Sequence, residues 1–295
     1  MAYYSKIEWT GPTWNPGIGC DKVSPGCKYC YMMRDMGPKL KAREIEVNGN
    51  VTRTSDKTFY APLNWQASGR RMEDGRRLLV FTSSLTDIFH EKIDEYRHEI
   101  WDIIKMCPDL IFQILTKRPE RIVDHLPEDW GKGYENVWLG VSVEDQKRAN
   151  ERIPILTSIP AKVRFLSIEP LIGKIDLMEC SDHISQNLLP GHSAATWTEL
   201  LIDWAIIGGE SGNENGKWRY RPMEMEWVQS LIIQLYNNEI PTFIKQLGTY
   251  QYHKFKEMGF NIGRKGGKLK DLPTHYNFLK LREFPKSYQN EKIKG

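Results

Sequence analysis

Short apolar runs alternate with helically spaced stripes along most of the chain. Residues 78–82 (LLVFT), 110–115 (LIFQIL), 137–143 (VWLGVSV), 163–168 (VRFLSI), 204–207 (WAII) and 242–244 (TFI) are rich in β-branched and aromatic side chains. Runs of this length, apolar on both faces, predict buried parallel strands. Between the first two, Ile93, Tyr96, Ile100, Ile103, Ile104 and Cys107 recur at steps of three and four, which predicts an amphipathic helix over 91–107. Val228, Leu231, Ile232 and Leu235 make a second stripe, with Pro222 expected as the first helical residue. With a first strand over 13–18, six or seven β/α units follow one another. Such repeats imply right-handed crossovers and a sheet with helices outside, as a closed or incomplete barrel. The expectation is an α/β chain whose residues 1–250 form a TIM-like partial (β/α)6-7 barrel, with an insertion at 174–202.

Composition adds limits. The 295 residues carry 27% charged and 40% hydrophobic side chains and a net charge of +3, too mild to demand a nucleic-acid partner. No apolar run approaches the ~18 residues of a membrane span, and MAYYSKIEWT lacks a signal-peptide core. A cytoplasmic protein with no membrane partner is expected. Residues 251–295 differ: eleven Lys or Arg face four Asp or Glu, a net +7, with Tyr252, Phe255, Phe260, Tyr276 and Phe278 interleaved. That asymmetry reads either as a phosphate-binding surface or as a solvated tail.

Three of the five cysteines, Cys20, Cys27 and Cys30, fall within eleven residues of the loop 13–31 (TWNPGIGCDKVSPGCKYCY). Converging thiolates are costly unless a cation neutralises them. Gly17, Gly19, Pro25 and Gly26 favour a tight, irregular loop that turns several sulfurs to one centre. Structural zinc wants four protein ligands, and the first histidine in the chain is His90. A [4Fe-4S] cluster can instead be held by three cysteines with one iron open. A zinc knuckle completed by Cys107 or Cys180, or inert thiols, are the alternatives.

The Cys27-Lys28-Tyr29-Cys30 ending resembles the cluster loop of radical S-adenosylmethionine (SAM) enzymes. Together with IEWT (7–10), TWNP (13–16), ILTKRPER (114–121), SIEP (167–170) and GGESG (208–212), the pattern resembles a phage- and prophage-associated family placed near radical SAM enzymes such as spore photoproduct lyase. Six residues separate the first two cysteines here, against three in the common radical SAM spacing. The resemblance implies a radical SAM-type barrel, a [4Fe-4S] cluster on Cys20, Cys27 and Cys30, SAM on the open iron, and an external electron donor. It also implies reductive cleavage of SAM to a 5′-deoxyadenosyl radical, acting on a nucleic-acid base or nucleotide. The rival is a non-catalytic zinc- or cluster-binding nucleic-acid protein; a protein partner is left open.

In parallel α/β architectures ligands gather at the carboxyl ends of strands. Polar residues follow nearly every predicted strand there. Ser83, Ser84, Asp87, Gly208, Gly209 and Glu210 are the candidate cofactor-binding groups, and Lys117, Glu144 and Glu169 the candidate catalytic ones; Arg118, Lys245 and Gln246 share the same positions. Trp9, Trp14 and Tyr31 could stack on a base or belong to the core.

Overall fold

All six apolar runs form strands. In a computed structural model, which describes residues 5–42, 49–180, 201–217 and 219–291, they are β4 (Leu78–Thr82), β5 (Leu110–Thr116), β6 (Val137–Ser142), β7 (Val163–Ile168), β8 (Trp204–Gly208) and β9 (Thr242–Gln246). Before them come β1 (Thr13–Trp14), β2 (Gly17–Ile18) and β3 (Thr52–Arg53). Hydrogen-bonded neighbours run β1-β4-β5-β6-β7-β8-β9, with β2-β3 as a separate pair. Sequential neighbours joined through helices make this an α/β protein. Among the described residues no helix is long and apolar enough to cross a membrane. Residues 181–200 of the expected insertion, and Lys292 and Lys294 of the basic segment, lie outside the described residues.

The chain divides into two compact units. The first comprises residues 1–140, 159–163 and 290–295. Here β1 pairs parallel with β4, Trp14 opposite Thr82, and β4 pairs parallel with β5 from Leu78–Leu110 to Thr82–Ile114. Leu79, Val80, Ile111 and Phe112 are buried, as strands covered on both faces must be. The helix Arg97–Lys105 contributes Ile100, Trp101, Ile103 and Ile104 to the same core. Each such side chain stabilises the fold by roughly 1.5–3 kcal/mol when fully buried.

The second unit comprises residues 141–158 and 164–289. In it β7, β8 and β9 pair in parallel, and the helix Met225–Asn237 buries Val228, Leu231 and Leu235. The basic segment is folded here. Leu281 O accepts from Ile244 N, Glu283 N donates to Thr242 O, and Phe255, Phe260 and Tyr276 pack ring to ring. The solvated-tail reading therefore fails for residues 251–289: Ile262, Leu269, Leu272 and Leu279 are buried, and the segment covers the free edge of β9.

Three local expectations change. The strand over 13–18 breaks after Trp14, because Pro16 has no N–H to donate and the chain crosses to β3, Thr54 N donating to Pro16 O. The helix over 91–107 opens as a 3-10 turn, Glu91–Tyr96, and becomes α-helical only at Arg97. The helix expected from Pro222 starts at Met225, because Arg221 and Met223 are held elsewhere: Arg221 N donates to Glu210 Oε2, and Gln251 Nε2 donates to Met223 O.

Candidate metal centre

The cysteine loop lies in the first unit, braced at the carboxyl ends of β1 and β4. Asn15 is the brace. Its Oδ1 accepts from Leu85 N at 2.7 Å, and its amide and the Ser84 hydroxyl lie 3.1 Å apart. Gly19 N donates to Leu85 O, and the Tyr31 hydroxyl donates to Ser84 O. Gly19 has φ +117°, and a Cβ there would stand 1.9 Å from Asn50 O, so only glycine fits. Cys27 is buried, while Cys20 and Cys30 are half-buried. All five cysteines are free thiols.

Ser83 follows β4 directly with φ +67°, a left-handed conformation unusual for a residue with a side chain. Its buried hydroxyl has no hydrogen-bond partner among the described residues. Strain and an orphaned hydroxyl together are what a ligand-facing position shows. Asp87, by contrast, is saturated. Its carboxylate accepts from Thr116 Oγ1 at 2.8 and 2.9 Å, from Lys117 N at 2.9 Å and from Phe89 N at 3.0 Å, and Arg118 Nη1 lies 3.3 Å away. Asp87 organises the turn after β5, so binding a cofactor would cost it hydrogen bonds it already makes.

The thiol of Cys20 is pushed up to about 12, by burial first and by the Asp87 charge second, with Arg118 opposing both. Among the described residues no group of three or more His, Cys, Asp or Glu side chains is drawn together as a ligand set. Cys20, Cys27 and Cys30 are the sulfur donors of the loop, and the other candidate ligands are engaged elsewhere. His90 Nδ1 accepts from Lys92 N, which leaves the ring proton on Nε2, 3.0 Å from Asp21 Oδ2; both nitrogens are engaged. Cys107 O accepts from Leu110 N at the amino end of β5, about 20 Å of strand from Arg118, which touches Cys20. Cys107 therefore sits by the opposite end of β5 from Arg118. Cys180, in the second unit, donates its thiol to Asn150 Oδ1 at 3.3 Å.

The remaining candidates divide by exposure. In the second unit Glu144 is fully buried and paired with Arg152 at 3.2 Å, which removes it from contact with solvent. Glu210 accepts from Arg221 N, Nε and Nη2 at 2.8, 2.9 and 2.5 Å, a saturated bidentate pair. Gly208 and Gly209 serve the chain rather than a ligand: a Cβ on Gly208 would meet Glu169 Cδ at 3.0 Å, and one on Gly209 would meet Leu247 O at 2.3 Å. Glu169 pairs with Lys245 at 2.7 Å, and both side chains stay about one-fifth exposed, so this pair remains reachable. In the first unit Lys117 is fixed by its backbone on Asp87, and its side chain is half-buried. Trp9 and Trp14 are core residues: Trp14 Nε1 donates to Phe59 O at 2.9 Å and Trp9 packs edge-on against Phe81. Only Tyr31 of the three aromatics is exposed. A surface groove of about 300 Å³ beside Trp101, Lys105 and His125 contains none of the predicted residues.

Asn15, Arg221 and Arg152 carry contacts that no sequence role anticipated, and Arg118, a rim residue in the sequence, meets Asp87 and Cys20. Asn15 and Arg118 lie inside the TWNP and TKRP strings; Arg152 and Arg221 have no motif to mark them. The fold and site define an α/β protein with a three-cysteine loop set at the carboxyl ends of parallel strands. The chain belongs to the family described as "Protein of unknown function (DUF5131)", which matches residues 4–277. No curated protein and no solved structure matches it.

Proposed function

We propose that the chain is a radical SAM-type iron-sulfur enzyme, in which Cys20, Cys27 and Cys30 hold a [4Fe-4S] cluster and the strands form the partial TIM-like barrel of that class. The observation that carries the reading is a loop with three free thiols, set beside a strained Ser83 whose hydroxyl is unpaired among the described residues. When bound, the cluster with SAM supplies a 5′-deoxyadenosyl radical for hydrogen abstraction; the protein supplies position and exclusion of water. Asn15 and Gly19 fix the loop on the β4 turn, and the Ser83 hydroxyl offers the free polar contact a cofactor would take. In the second unit Glu169 and Lys245 keep candidate roles because their charges reach solvent. Reduction would come from an external donor, and five free thiols suit a reducing, cytoplasmic setting. The kinship with phage-associated proteins read from the motifs belongs to the same proposal.

A nucleic-acid base or nucleotide is the proposed substrate class. The support is a turn at 261–270 that presents Arg264, Lys265, Lys268 and Lys270 to solvent. This turn is anchored just after β9, Leu247 N donating to Gly266 O and Gly248 N to Lys265 O. Four exposed cations on a braced turn match a phosphate backbone or a nucleotide phosphate. Reduced protein mixed with SAM should change its electron paramagnetic resonance spectrum and release 5′-deoxyadenosine, and Ser83→Ala should weaken the change. No spectral response at millimolar SAM would refute the reading.

A further inference from the structure

Arg118 sits at the end of a chain of contacts that terminates on a cysteine sulfur. Thr116 Oγ1, Lys117 N and Phe89 N fix the Asp87 carboxylate, and Asp87 Oδ2 fixes Arg118 Nη1 at 3.3 Å. The same Nη1 donates to Cys20 Sγ at 3.7 Å. Thr116 Oγ1 also accepts from Arg118 N at 2.9 Å, so backbone and side chain are both held. The Arg118 and Asp87 side chains are 9% and 6% exposed, which leaves the guanidinium little freedom to leave the sulfur. A buried Arg–Asp pair alone is satisfied without a third partner; this one is aimed so that a donor faces a cysteine of the loop.

We infer that Arg118 raises the reduction potential of the centre held by Cys20, Cys27 and Cys30 by donating an N–H to the Cys20 sulfur, with Asp87 as its positioning residue. The inference rests on the cluster reading above. Reduction adds one electron from an external donor to a thiolate-ligated, already anionic centre, with no atom transferred. A cation and an N–H at a ligating sulfur stabilise the form with the extra electron more than the oxidised form. Losing them makes reduction harder and moves the potential negative.

The test uses the full chain purified without oxygen, as wild type, Arg118→Lys and Arg118→Gln. Iron and acid-labile sulfide are measured per chain, and the midpoint potential is read from a redox titration followed by electron paramagnetic resonance. Arg118→Gln should lower the one-electron equilibrium constant about tenfold, a shift of about 59 mV to more negative potential. Arg118→Lys keeps the charge without the planar fork and should fall between the two. If Arg118→Gln fails to fold around an unpaired Asp87, Arg118→Lys, which keeps Asp87 paired, carries the test and should still move the potential to more negative values. A wild type with a full cluster and variants at its potential would overturn this inference alone. A wild type without iron would overturn the cluster reading and this inference with it.

Discussion

Replacing Asp87 by alanine should unfold the first unit more readily than any surface change. The Asp87 side chain is buried and has three hydrogen-bond donors plus the Arg118 guanidinium, which is buried with it. Alanine strands the Lys117 and Phe89 N–H groups and leaves the arginine charge beside a neutral sulfur. Breaking a buried ion pair from one side costs about 3–5 kcal/mol, because the surviving charge is uncompensated. Screening by solvent reduces this little at such burial. At about 2–4 °C per kcal/mol for a chain somewhat shorter than this one, the midpoint of thermal unfolding should fall by roughly 6–20 °C. Asp87→Asn keeps one acceptor oxygen, enough for Phe89 N and Thr116 Oγ1, and should lose less than alanine although its amide nitrogen cannot accept from Lys117 N. Urea unfolding followed by circular dichroism, with apoprotein throughout, measures both. An Asp87→Ala protein within about 1 kcal/mol of wild type would show that the carboxylate does not organise the turn after β5.

Other outcomes follow from neighbouring groups. Glu144→Ala should cost about 3–5 kcal/mol by stranding Arg152, whereas Glu169→Ala, whose pair is partly solvated, should cost less; equal losses would contradict the division by exposure. Burial pushes the Asp94 carboxyl up, but hydrogen bonds from Arg121 and Arg97 outweigh it and hold it below the ordinary 3.8. Its stabilisation is therefore complete above pH 3.8 and is lost as pH falls through the lower folded value, and Asp94→Asn should flatten that acid limb. Changing Arg264, Lys265, Lys268 and Lys270 to glutamine should leave folding intact and reduce the salt dependence of nucleic-acid binding by roughly 0.7–0.9 logarithmic units for each phosphate that is no longer neutralised. Absence of salt-dependent binding by the wild type would remove nucleic acid as the substrate class.

The strands were legible because parallel strands buried on both faces are continuous apolar runs, and 78–82 and 163–168 coincide with β4 and β7. The cysteine loop was legible through its local density of sulfur and glycine. Side-chain partnerships were not. Asp87 meets donors about thirty residues away, and Glu210 meets Arg221 across an irregular stretch, neither at any helical or strand period. Hence residues in rim positions, Glu144 and Glu210 among them, looked available when their charges are already paired. Gly208 and Gly209 misled for a related reason: a glycine marks close approach, but not whether a ligand or the chain itself approaches. Ser83 could be placed at a strand end from sequence, but its left-handed backbone could not.

The proposed function stands on an iron-sulfur cluster held by Cys20, Cys27 and Cys30. It is tested most directly by iron, zinc and acid-labile sulfide analysis of the full chain purified without oxygen, beside Cys27→Ala and Cys107→Ala. About four iron and four sulfide per chain are expected in the wild type and in Cys107→Ala, with most of both lost in Cys27→Ala. Stoichiometric zinc without sulfide, or a Cys27→Ala protein that keeps its full cluster, would contradict it.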